Sequence, residues 1–181
     1  MAYRLSRSGA QPIARRISRA PSPLLAYAAP WLTIVAASIV PGWPLIAMAP
    51  VMPPLGYMTM LAWRQLRPGL LPVWAGFPLG LVDDLFSGQP LGSGLVLWSI
   101  TMIALEIIEA RFPWRNFLTD WLVASLFILG CIALEAVVAG QGSGWALLVP
   151  QMVISVMGYP LVGRSVGWID RWRLTRFRVV G

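Results

Sequence analysis

Apolar residues gather into six blocks along this 181-residue chain, near 24–40, 43–63, 70–86, 91–109, 117–139 and 145–163. The ~30 Å hydrocarbon core of a bilayer takes about 20 helical residues, with roughly 17–25 the common range. All six blocks fit, the third only at the low end. None has the two-residue alternation of a membrane β-strand, and helices are the other way to satisfy a backbone in lipid. The pattern predicts an all-α membrane protein of about six transmembrane helices over 24–169, preceded by a polar tail, 1–23, and followed by a basic tail, 170–181.

The arginines predict the orientation. Arg4, Arg7, Arg15, Arg16 and Arg19 precede the first block, Arg64 and Arg67 follow the second, and Arg111 and Arg115 lie between the fourth and fifth. Arg164, Arg171, Arg173, Arg176 and Arg178 follow the sixth, while the loops after the first, third and fifth blocks carry none. Six crossings therefore put every arginine on one side, and the positive-inside rule makes that side the cytoplasm, with both termini in it. Tryptophans mark the same boundaries: Trp43 and Trp145 at outer ends, Trp63, Trp114, Trp168 and Trp172 near inner ends. Trp31, Trp74 and Trp98 lie deeper and are expected to pack between helices.

Composition changes the picture only by what it excludes. The chain is 57% hydrophobic and 12% charged, with mean hydropathy +0.70, where a soluble domain is about a quarter charged. Its net charge of +7 comes entirely from arginine; in a membrane protein that excess records topology and contact with anionic lipid, and no nucleic-acid role is expected. Without histidine or lysine there is no Ser–His–Asp triad, Cys–His pair, Schiff-base lysine or Walker-type lysine, and no cofactor is implied. Cys131 is alone, so no intrachain disulfide forms. A cleavable signal peptide ending near Ala36-Ala37-Ser38 is the competing reading of the N-terminus, against which stand its long polar lead and the apolar blocks that follow.

Prolines crowd the second and third blocks: Pro44, Pro50, Pro53 and Pro54, then Pro72 and Pro78. Each is expected to kink its helix. Broken helices line cavities in some transporters, and proline is also simply common in membrane helices.

The segment Gly80-Leu81-Val82-Asp83-Asp84-Leu85-Phe86-Ser87-Gly88-Gln89-Pro90-Leu91-Gly92 is an apolar helix end, a carboxylate, a glycine-rich turn and a new apolar helix. It resembles the Gly-Leu-x-x-Asp … Leu-Gly motif of MreD, the rod shape-determining membrane protein family. Asp84 stands at the acidic position, and Asp83 where that family more often has an apolar residue. The resemblance covers most of the chain in layout and is specific over 76–94. It implies a non-enzymatic scaffold in the bacterial inner membrane that works with MreC, MreB, RodA and a class B penicillin-binding transpeptidase. It also implies a fold similar to the substrate-binding S component of energy-coupling-factor transporters. The candidate motif or partner-contact residues are Gly76, Gly80, Asp84, Gly88, Pro90, Leu91, Gly92 and Glu135.

Gly76 and Gly80 are four apart, as are Gly88 and Gly92, a spacing that lets helices approach closely or, for Gly88, Gly92 and Gly94, forms the turn alone. Asp83, Asp84 and Glu135 fall toward the outer side, away from every arginine. A charge buried there neutralises or finds a partner, so Asp84 is expected to be protonated and hydrogen-bonded or to meet a donor on a protein such as MreC. Asp83 is as readily interfacial and solvated. Glu106 and Glu109 share a helix face and are expected to pair with Arg111 and Arg115, and Asp120 and Asp170 to balance arginines nearby. The run Trp172-Arg173-Leu174-Thr175-Arg176-Phe177-Arg178 reads as an anchor on anionic membrane lipid.

Three functions follow. A scaffold needs a filled core and lipid-embedded contacts with other proteins. A vitamin-type transporter subunit needs an outward polar cavity, for which Asp83, Asp84, Gln89, Glu135, Gln141 and Gln151 are few. An intramembrane enzyme lacks any nucleophile arrangement.

Overall fold

A computed structural model describes residues 23–40, 52–87, 91–111, 116–138, 140 and 145–174. It contains six α-helices and, among the described residues, no strand: α1 (Pro23–Ile39), α2 (Leu55–Leu66), α3 (Gly76–Ser87), α4 (Ser93–Arg111), α5 (Phe117–Val138) and α6 (Trp145–Leu174). Three stretches are long and apolar enough to cross a membrane, Ser93–Arg111, Phe117–Val138 and Leu148–Arg173. α2 and α3 have 12 residues each, or about 18 Å of rise, and residues 41–51 before α2 lie outside the described part.

The described prolines of the second and third blocks stand at or before helix starts rather than at kinks. Pro53 and Pro54 immediately precede α2. Pro72 opens a single 3-10 turn, Val73–Ala75, that leads into α3, and Pro78 sits in the first turn of α3, where its missing N–H has no helical partner to lose. The third apolar block is therefore a turn followed by a short helix, not one continuous helix. Pro44 and Pro50 lie outside the described residues. The interior prolines belong elsewhere, Pro30 in α1 and Pro150 and Pro160 in α6.

α2 is the hub. Every residue from Gly56 to Arg64 is buried, because α1, α5 and α6 all pack on it. Tyr57 meets Trp98 of α4 edge-on, ring centroids 5.8 Å apart, and Trp63 is 0% exposed. Trp63 is thus core rather than interfacial: its Nε1–H donates to Thr33 Oγ1 of α1 at 2.8 Å, and the Arg173 guanidinium lies over its ring. Trp168 and Trp172 are exposed, as boundary residues should be, and Trp98 is buried. Trp74 is exposed but leans on half-buried Trp31. Trp43 and Trp114 lie outside the described residues.

Contacts between helix ends show that successive helices run antiparallel. The end of α1 (Ser38), the start of α2 (Gly56), the end of α3 (Asp83, Asp84) and the start of α4 (Gly94) come together. At the other end, the last turn of α2 meets the last turns of α4 and α6 and the start of α5. One end of the bundle collects Asp83 and Asp84, the other Arg64, Arg67 and Arg173. α6 continues as helix through Leu174, past the boundary expected at 169, with Asp170 and Arg173 facing inward and Arg171 and Trp172 outward.

Candidate functional site

The Asp84 segment joins α3 to α4, the most extensively packed helix pair among the described residues. α3 and α4 approach backbone to backbone. A Cβ on Gly80 would stand 2.6 Å from the Gly94 carbonyl oxygen, and one on Gly76 would stand 2.8 Å from the Trp98 carbonyl oxygen. Only glycine fits at either position, so the Gly76/Gly80 spacing serves a contact within the chain. Gly92 has φ +100° and turns the chain into α4.

Asp84 closes this junction. It is 3% exposed, and its side chain receives the new helix's amides: Gly92 N–H to Oδ2 at 2.8 Å, Gly94 N–H to Oδ1 at 2.7 Å, and Leu95 N–H to Oδ2 at 3.2 Å. Ser93 Oγ adds a longer contact to Oδ1, 3.4 Å. The first N–H groups of a helix lack partners along their own helix, and the positive end of the helix dipole faces the carboxylate. Asp84 thus finds its donors in the backbone of its own chain, and no described cation pairs with it. The sequence signal for this was the distance from Asp84 to Gly94, one loop and the first helical turn.

Asp83, one position and about 100° round the helix from Asp84, faces α2 instead. It is half-buried, and its Oδ1 and the Ser38 Oγ converge over Gly56, where a Cβ would stand 3.0 Å and 2.0 Å from them. Tyr57 Oη lies 2.8 Å from Thr101 Oγ1, which gives its own proton to the Leu97 carbonyl, so tyrosine is the donor. Cys131 Sγ donates to Glu135 one turn on, at 3.1 Å. Glu135 lines a small, mostly apolar cleft of about 380 Å³ between α4 and α5, together with Leu91 and Gly92. The structure therefore brings Gly76, Gly80, Asp84 and Gly92 together at one junction and sets Leu91 and Glu135 beside it. Gly88 and Pro90 lie outside the described residues.

At the opposite end the ion pairs differ from those expected. Glu106 and Glu109 pair with Arg64 of α2, Glu109 at 3.0 Å. Arg111 is exposed, and Arg115 lies outside the described residues. Arg64 is 2% exposed and also donates to the Leu71 carbonyl, tying α2, α4 and the turn before α3 together. Asp170 accepts from Arg67 on Oδ2 and from Arg173 on Oδ1, so the expected balance at that position holds in detail. Arg64 was missed in the sequence because its acids lie 42 or more positions away, on a different helix.

Between α2, α5 and α6 runs an open groove of about 970 Å³. Its floor is knitted by Tyr159 Oη donating to Gln65 Oε1 at 2.5 Å and Gln65 Nε2 donating to the Asp120 carbonyl at 2.9 Å. Among the described residues, no three Cys, Asp or Glu side chains converge to hold a metal ion. No protein-family profile matches this chain, and no curated protein or solved structure is significantly similar to it.

Proposed function

We propose that this chain is a non-enzymatic scaffold of the bacterial wall-elongation machinery, an MreD-type protein of the inner membrane. In this reading it crosses six times with both termini cytoplasmic, the arginine-rich end facing the cytoplasm. It binds MreC and, directly or through it, MreB, RodA and a class B penicillin-binding transpeptidase. The observation that carries the reading is the α3–α4 junction: the residues matching Gly-Leu-x-x-Asp and Leu-Gly act as one unit, Gly80 crossing Gly94 while Asp84 caps α4 beyond the Gly92 turn. A motif spent on fixing two helices against each other suits a protein whose product is a shaped surface.

The S-component-like fold belongs to the same reading. The vitamin-transporter alternative is less well supported, because buried Tyr57 and Trp98 pack into the half of the bundle nearer Asp83 and Asp84, where an outward cavity would open. The test is a pull-down of tagged full-length chain from detergent-solubilised membranes, read by mass spectrometry. Recovery of MreC and wall synthases supports the scaffold. Recovery of an ATPase module with a transport-coupling membrane subunit overturns it.

A further inference from the structure

The groove between α2, α5 and α6 has a vertical order. Its deep end is walled by Ala62, Trp121 and Tyr159, and its open end carries Arg164 and Arg171. These arginines are seven apart on α6, two turns on one face, about 10 Å along the axis. Both are exposed, and neither forms an ion pair with a described residue, whereas Arg64, Arg67 and Arg173 all do. Asp170, beside Arg171 in sequence, has both oxygens engaged by Arg67 and Arg173. Among the described lining residues Asp120 is the one acid, against the two arginines. Gly163 and Gly167 keep the wall low, since a Cβ at either would meet nothing within 4 Å.

Three features define the occupant. It carries negative charge at the arginine end. It is apolar above that point, because the polar atoms of the floor are bonded to one another. Its apolar part within the groove is short, about 8 Å of rise from Arg164 back to Tyr159, room for the first carbons of an acyl chain whose remainder lies in lipid. Exposed Trp168 and Trp172 stand beside the arginines on the same helix, the position of rings at a headgroup layer. Basic pockets between transmembrane helices on the cytoplasmic side are suited to anionic lipid headgroups.

We propose that this groove is a binding site for one anionic phospholipid of the arginine-side leaflet, its phosphate held by Arg164 and Arg171 and an acyl chain lying against Trp121 and Tyr159. The site rests on the chain spanning the membrane, not on the scaffold assignment. Pull-down of MreC tests the latter separately.

Native mass spectrometry of the delipidated full-length chain tests it, with phosphatidylglycerol, phosphatidylethanolamine or glycerol 3-phosphate added. The wild type should retain phosphatidylglycerol over phosphatidylethanolamine, and glycerol 3-phosphate should not displace it. Arg164→Gln/Arg171→Gln should weaken retention by about tenfold or more. Gly163→Leu, which fills the groove without touching either charge, should weaken it as well, and this holds the test open should the double variant fail to fold. Equal retention by wild type and both variants, equal binding of the two lipids, or displacement by glycerol 3-phosphate would overturn the proposal.

Discussion

The Asp84 carboxylate and the Gly94 amide stand 2.7 Å apart across the turn where α3 ends and α4 begins. Removing the acceptor strands three buried or half-buried amides. Asp84→Ala should therefore cost about 1–3 kcal/mol and lower the apparent melting temperature of the purified chain in detergent. Asp84→Asn, which keeps one oxygen acceptor, should fall between. An alanine variant that melts with the wild type would remove the cap from any account of stability.

Gly80→Ala places a methyl against a backbone carbonyl that has no rotamer to escape into. Overpacking of this kind costs about 1–3 kcal/mol. Gly163→Ala, on α6 with open space around it, should be neutral or stabilising by up to about 1 kcal/mol from helix propensity. The pair of melting curves separates steric contact from a general intolerance of glycine replacement.

Arg64→Leu should be among the most damaging changes at the arginine end. Breaking a buried pair by removing one partner costs about 3–5 kcal/mol, and the lower figure applies because Glu106 is 56% exposed. Glu106→Gln alone should cost less than about 1 kcal/mol, as exposed pairs do, since Glu109 keeps the guanidinium partnered. Equal effects of the two changes in a thermal or denaturant titration would contradict this division of labour.

Tyr57 and Thr101 are 44 positions apart in sequence and share one buried hydrogen bond. A double-mutant cycle with Tyr57→Phe and Thr101→Val should give a coupling of about 0.6 kcal/mol, within the roughly 1.7 kcal/mol ceiling for such bonds in membrane proteins. A coupling near zero would mean that the tyrosine proton is equally well served elsewhere, its next acceptor being the Phe127 carbonyl at 3.5 Å.

What the sequence made legible was whatever repeats at helical length. The blocks that became α4, α5 and α6 were readable because an uninterrupted apolar run has one solution in lipid, and Asp84 because a carboxylate there is expensive. The starts of α2 and α3 were not, because a proline at a helix start and one in its interior look alike until the first turn is located. Trp63 misled for a related reason: it sits beside Arg64 at a block end, the usual place for a boundary indole, yet Thr33 and Arg173 draw it into the core. The Arg64 and Asp170 pairings join helices far apart in the chain, and no local pattern encodes them.

The enclosure of α2 also has a consequence for biogenesis. During synthesis Arg64 is made 42 residues before Glu106, and Arg67 precedes its acid by 103. A short helix carrying an unmatched guanidinium has no stable resting place in hydrocarbon until those later segments arrive. The second helix is thus the first made of the central elements and the last to be satisfied. The packing around α2 is therefore complete only once α4 and α6 have been made.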